Sequence, residues 1–411
     1  MNVQIRTITL QSFLPDINED VLKKFTDHLS NFKKSGHPPR TYRIVSDLIV
    51  PDGNSENTKN LISNYVALSE KYNFWGVGLP FDVTNENYLD SLALATYAVK
   101  QRDNIFINFI PVNDGKLNLK AVPKISDFII ENSVVPIDNF RVGVSSAKIK
   151  SPFFPFSCAE NDAEFTVGLE SVGYLTEMVK QNNRLDLNSL RELLINSFTA
   201  ELQKIQDSCL TFEKNSGITY GGIDLSLAPY PYPLEDQSVA TLIEEIGQIG
   251  RSRGEAVFEF GSNGTHFINT YLTNILKSIV KNSGIKTTGF NGIMYSVLED
   301  TYLSKRYGED AFDLNFLKLL STTCGCGVDM VPLPGAVKNT AVAGLIMDTL
   351  STAMVLKKPL GVRVLPVAGL RSGEMTDFKH LFFANTKIRE IKEGLTLQYL
   401  PHQQDQFTFL P

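Results

Sequence analysis

Cysteine is scarce in this chain of 411 residues, which has 4, at positions 158, 209, 324 and 326. So few thiols cannot form a disulfide framework in so long a chain, and a reducing compartment, the cytoplasm, is expected. Runs of one charge sign are also lacking. Lys and Arg total 39 against 45 Asp and Glu, a net charge of -6, and no basic stretch is long enough to track a phosphate backbone, so nucleic acid is not an expected partner. No stretch approaches the roughly 20 apolar residues that span a bilayer. The N-terminus, Met1 to Ile8, has neither an apolar h-region nor a small-residue cleavage site, so neither export nor membrane insertion is expected.

Apolar material is plentiful. Hydrophobic residues make up 43% and charged residues 20% of the chain, enough for a large core and order nearly throughout. The length fits two or three domains, or one α/β barrel.

Strand-like and helix-like segments alternate, the pattern of parallel strands joined by helical crossovers. Strands are expected over Arg6–Leu10, Thr41–Val50, Phe74–Leu79, Ile105–Pro111 and Phe140–Val144, and helices over Asn18–Asn31, Thr58–Tyr72, Asn87–Val99 and Val122–Glu131. From Leu185 to Phe212, apolar residues recur at helical spacing, so residues 185–216 read as a long helix joining a first half, 1–184, to a second, 217–411. The second half continues with strand Gly222–Leu227, helices Ser238–Ile246 and Gly264–Ser278, strand Gly289–Val297, helix Val337–Leu356 and strand Leu360–Leu365. One compact body in two halves is the simplest reading.

Several segments can carry chemistry. Cys324-Gly325-Cys326-Gly327-Val328-Asp329 reads as a loop reaching to Gly335, whose glycines permit backbone angles closed to other residues. The cysteine spacing is not that of a zinc site. Cys324 is either a reactive thiol or a small space-filler, and Asp329 would raise its pKa. Asp224 and Ser226 share one face of a strand, where they bind metal or substrate or cap neighbouring amides. Gly264 and Thr265 open a helix whose N-terminus either holds an anion or is simply capped. Glu299 and Asp300 follow an apolar strand, as acid and base or as ligands of a hard cation. Arg363, within an apolar strand, clamps an anion or sits in a structural ion pair.

These segments in order resemble a prokaryotic family known as domain of unknown function seven-eleven. The resemblance rests on Gln4-Ile5-Arg6-Thr7-Ile8-Thr9, Phe153-Phe154-Pro155-Phe156-Ser157, Gly168-Leu169-Glu170, Gly222 to Pro229, Gly292 to Asp300, Cys324 to Gly335, Arg363 and Phe383-Ala384-Asn385. The family usually has threonine where this chain has Cys326, which implies that Cys324 is the thiol of interest. A proline-glycine near the family C-terminus appears here as Ala368-Gly369.

The resemblance implies a ten-stranded α/β barrel of two parallel half-sheets, similar to pyruvate formate-lyase and other glycyl-radical enzymes, with an internal cysteine finger loop. A glycyl radical is not expected, because Arg363 to Leu370 does not fit the Arg-Val-x-Gly-Tyr motif.

Two functions stay open. One is an enzyme acting on a small anionic or carbonyl-bearing metabolite in the barrel. Cys324, Asp224, Glu299 and Asp300 would then be catalytic, and Ser226, Gly264, Thr265, Asp329 and Arg363 would bind the ligand. The other is a non-catalytic metabolite-binding or self-assembling protein. A homo-oligomer is expected in either case. A divalent cation enters if Glu170, Asp224, Glu299 and Asp300 converge.

Overall fold

The computed structural model describes residues 2–51, 53–135, 137–230, 237–250, 256–323, 325–394 and 406–408. The first part of the chain forms β1 (Gln4–Gln11), α1 (Glu19–His28), α2 (Ser30–Lys34), β2 (Thr41–Val45), α3 (Ser55–Lys71), β3 (Gly76–Asp82), α4 (Tyr88–Val99), β4 (Ile105–Ile110), β5 (Val112–Asn113), β6 (Lys116–Asn118), α5 (Ala121–Glu131) and β7 (Val142–Ser145). There follow β8 (Glu164–Glu170), α6 (Val172–Gln181), α7 (Leu187–Ser216), β9 (Thr219–Asp224), α8 (Val239–Gly247), α9 (Thr265–Asn282), α10 (Thr301–Gly308), α11 (Leu314–Thr323), β10 (Gly327–Pro334), α12 (Asn339–Leu356), β11 (Gly361–Val367) and β12 (Gln406–Thr408).

Nine of the strands form one mixed sheet in the order β10-β11-β7-β4-β3-β2-β1-β8-β9. β1, β2, β3, β4 and β7 run parallel to one another, and β8 with β9 and β10 with β11 form parallel pairs. The two directions meet at antiparallel joints, β1 with β8 and β7 with β11. Beyond the edges, residues 287–296 make isolated parallel bridges, Ile223 with Thr287, Leu227 with Ile293 and Ser296 with Asp329. The fully buried runs of β3 and β4 are what strands covered on both faces require. Helix ends follow their caps: Asp186 accepts from the amides of Asn188 and Ser189 at the start of α7, and left-handed Gly217 ends it.

What lies against the inner face is the segment 152–156. A Cβ on Gly78 of β3 would meet Phe154, one on Gly143 of β7 would meet Pro155 and Phe156, one on Gly168 of β8 would meet Phe153, and one on Gly361 of β11 would meet Phe156. β8 and β11 stand six strands apart in the sheet, roughly 29 Å if it were flat at about 4.8 Å per strand. Phe153 and Phe156 are separated by at most about 11 Å of extended chain. The sheet therefore curls around this segment, and the four glycines make room for its rings.

The structure corrects several expectations. Residues 327–334, read as loop, are strand β10. Its prolines misled the reading, since proline is tolerated where one side of a strand lacks a ladder, and β10 has a ladder only with β11. The segment 289–297 has no strand ladder; Gly289 and Asn291 have positive φ, which breaks the extended run. Residues Asp138–Arg141 are a 3-10 helix, so the strand expected from Phe140 begins at Val142. Strand β8 and helices α6, α10 and α11 were not anticipated. Among the described residues α12 alone is long and apolar enough to cross a membrane, but it packs against α5 and β11 as a core helix does.

Candidate functional site

A cavity of about 860 Å³ lies at the C-terminal ends of β3, β4 and β7. Of its lysines, Lys148 and Lys357 are exposed and Lys358 donates to the Ser321 carbonyl, and Asp82 accepts from the Thr84 amide and from Asn85. A buried charge without a partner is a stronger sign of function than volume, and inside the curl of the sheet lies one that has no counter-charge among the described residues.

A small cavity of about 30 Å³ there is lined by Arg6, Arg43, Trp75, Glu299, Cys326 and Arg363 among others. Arg6 comes from β1, Arg43 from β2 and Arg363 from β11. Arg363 holds the acidic side together. Its Nε donates to Asp329 Oδ1 at 2.6 Å, and its Nη2 donates to Asp329 Oδ2 at 2.8 Å and to Glu299 Oε2 at 2.6 Å. Ser296 Oγ donates to the same Glu299 oxygen at 2.8 Å, and Arg6 lies 3.6 Å from Glu299 Oε1. Arg6 also donates to the carbonyl of Pro229.

A bulge aims Asp329 at this cluster. The register between β10 and β11 shifts between Asp329 and Val331, and the residue between them, Met330, has φ 52°. Such a kink is a device for re-aiming a side chain next to a site.

Burial pushes the Glu299 carboxyl up, but Arg363 and Arg6 outweigh it and hold the group below the ordinary carboxylate value. For Arg363 burial works downward, and Asp329 with Glu299 overcomes it, so the guanidinium is more firmly protonated than usual. Burial pushes the Asp329 carboxyl up against the opposing pull of Arg363, but its two-point contact with Arg363 is the geometry of an ionised carboxylate.

Arg43 is different. It is 7% exposed, and its Nε has no hydrogen-bond partner among the described residues. Its guanidinium carbon sits 4.7 Å from the Trp75 ring centroid and 5.2 Å from that of Phe154. Burial, with Arg6 and Arg363 nearby, pushes its pKa down to about 9, against a smaller upward pull from Glu299. It is thus a cation at neutral pH, held by ring faces, with no carboxylate of its own among the described residues.

Of the residues singled out from sequence, Glu299, Asp329 and Arg363 are brought together here. The thiol on the wall is Cys326; Cys324 lies outside the described residues. Burial, then Asp329, pushes the Cys326 thiol well above its ordinary value, so it is neutral.

The other residues lie elsewhere. Asp224 accepts from the amides of Ser226, Phe290 and Asn291 and from the hydroxyls of Ser151 and Ser226, pinning the end of β9 to the turn that follows α9. Asp300 accepts from the Leu303 and Val239 amides, capping α10 and α8 together, and burial raises its pKa to about 6. Gly264 is the left-handed residue before α9. Thr265 Oγ1 accepts from the Gly261 amide and donates to the Ser262 carbonyl. Glu170 pairs with Arg40. Glu170, Asp224 and Asp300 thus have different partners, and the described residues contain no group of three or more His, Cys, Asp or Glu placed to hold a metal.

Arg6 and Arg43 were missed as site residues. Their signal was the one that singled out Arg363, an arginine inside an apolar strand.

Relatives carry names without an activity. A "UPF0210 protein" of Pyrobaculum arsenaticum is 27% identical over 298 residues, covering 72% of this chain and 63% of the relative. One from Lachnospira eligens is 24% identical over 421 aligned positions, covering 92% of this chain and 88% of the relative. One from Bifidobacterium longum is 30% identical over 223, covering 53% and 46%. The match thus spans about three fifths of the Pyrobaculum protein. Residues 56–385, which hold Trp75, Phe154, Glu299, Cys326, Asp329 and Arg363, match the family described as "Uncharacterised ACR (DUF711)", and the chain belongs to that family.

Proposed function

We propose that this protein binds a small anionic metabolite in the interior of an α/β barrel, with Arg43 as the anion-binding residue. The observation that carries the reading is the buried guanidinium of Arg43, which faces the inner cavity with its Nε unsatisfied and no carboxylate paired to it among the described residues. Leaving such a charge buried costs several kcal/mol, on the order of the penalty per ion, and a ligand anion removes that cost. On this reading the barrel is completed by segment 287–296, which bridges toward both edge strands. The arrangement then has the two half-sheets implied by the resemblance to glycyl-radical barrels.

Binding without chemistry is favoured at the described wall, because a neutral buried thiol such as Cys326 is neither nucleophile nor ready proton acceptor. An enzyme reading places the reactive thiol on Cys324, and a Cys324→Ala variant that retains every ligand-dependent signal removes it. The binding reading is tested by thermal unfolding with acetate and with glyoxylate, against chloride at equal ionic strength. The expected result is a higher Tm with either anion in the wild type and none in Arg43→Gln. No shift in the wild type overturns the proposal, as does an equal shift in the variant.

A further inference from the structure

The inner cavity does not stand alone. An outer cleft of about 470 Å³ is lined by Trp75, Phe106 and Phe140, and the same three residues line the inner cavity. Among the described residues these aromatic rings are all that the two spaces share. On the outer side Phe382 sets its edge against Trp75, with centroids 5.5 Å apart, and lies nearly parallel to Phe140 at 6.4 Å. Phe382 is only partly buried.

Charge divides the two spaces. Inside, among the described residues, the guanidiniums of Arg6, Arg43 and Arg363 face the carboxylates of Glu299 and Asp329, three positive charges against two negative, a surplus of one. Outside, the cleft is lined by Asp103, Asp138 and Arg141, a surplus of one negative charge. Arg141 is already engaged, donating to the carbonyls of Val99 and Arg102 and pairing with Asp138.

We infer that the ligand is a monoanion with a small head and an apolar, ring-sized body. The head sits on Arg43 in the inner cavity, and the body passes Trp75, Phe106 and Phe140 into the outer cleft. The inference rests on the anion-binding reading above and adds the class of ligand.

Size limits the head. A cavity of about 30 Å³ has room for a group the size of a carboxylate, since one water takes about 10–15 Å³ on this measure. The single surplus charge selects one negative charge, and the acidic groups of the cleft repel a second on the body. The aromatic walls supply the apolar surface that a body covers, with ring-on-ring contacts that a methyl group cannot make.

The test is calorimetric titration of the full chain with acetate, 3-phenylpropanoate and phenylsuccinate at fixed ionic strength. The expected order is 3-phenylpropanoate at least about tenfold tighter than acetate, from roughly 25 cal/mol per Å² of apolar surface covered, with phenylsuccinate weaker than 3-phenylpropanoate. The three compounds carry the head, the head with a body, and the same with a second charge. Acetate should compete with 3-phenylpropanoate, and in Phe382→Ala the affinity ratio of these two should fall toward one. Phe382→Leu serves as a second variant should the alanine change unfold the chain.

Acetate binding through Arg43 with no gain from the phenyl body overturns the inference and leaves the anion reading standing. Simultaneous rather than competitive binding of the two, or preference for phenylsuccinate, also overturns it. No binding of any of the three removes both.

Discussion

At the scale of single residues, the site contrasts two arginines of the same exposure class with opposite consequences. Arg363 is 3% exposed and satisfied by two carboxylates, while Arg43 at 7% has none among the described residues. Replacing Arg363 by Met strands Glu299 and Asp329 together in the interior, and a loss of about 3–5 kcal/mol in urea unfolding is expected. Replacing Arg43 by Met removes an unpaired charge and keeps a stem against Trp75 and Phe154. The unliganded protein should become more stable while anion binding is lost, the trade expected at a functional site. A fall in stability for both variants would show that the Arg43 contacts with the rings outweigh its desolvation.

Glu299 makes a pH prediction. Its folded pKa is depressed below the reference 4.5, so its contribution is fully present above that value and is lost as pH falls through the folded pKa. In Glu299→Gln the part of the acid-side loss of stability below pH 4.5 that belongs to this group should vanish, as read by urea midpoints across pH.

At the scale of elements, two devices set the shape around the site. Asp300 ties the starts of α8 and α10 through two amide hydrogen bonds, each 2.9 Å. Asp300→Ala frees both, and at about 1–2 kcal/mol per cap a loss of about 2–4 kcal/mol is expected in chemical denaturation. The inner glycines are the other device. A Cβ on Gly143 would stand 2.6 Å from Pro155 and 2.8 Å from Phe156. Gly143→Ala should cost about 1–3 kcal/mol through overpacking and disturb ligand binding at the cavity lined by Phe154 and Phe156.

Element by element, β3, β4, α4, α5 and α7 were legible because apolar periodicity within a short window decides them. β10 was not, since its glycines and prolines speak locally for a loop and only the neighbouring β11 makes it a strand. The segment after α9 failed the opposite way. Its apolar run suggests a strand, but the turn at Gly289 to Asn291, held by Asp224, leaves it only isolated bridges.

At the scale of the molecule, one hydrophobic cluster takes residues from Val3 to Val364 and so from both halves of the chain. The joints of β1 with β8 and β7 with β11 interlock the two strand directions. Unfolding is therefore expected to be a single cooperative event. The sole tryptophan, Trp75, reports on the inner site, while far-UV circular dichroism reports on the whole fold. Coincident urea curves are expected, and two separated transitions would mean that the halves fold as independent domains.

By itself the sequence determined the α/β class, the run of crossovers, the scarcity of thiols and the family, because composition, periodicity and motif are local properties. It also drew attention to Glu299, Asp329 and Arg363, each odd in an apolar setting. Which carboxylate meets which arginine was decided only by tertiary structure, since the pairing is made by strand order and curvature between residues as far apart as Arg6 and Arg363. The same long-range geometry left Arg43 against two rings, with no carboxylate among the described residues. A missing counter-charge is a property of the space around a residue, and no stretch of sequence contains it.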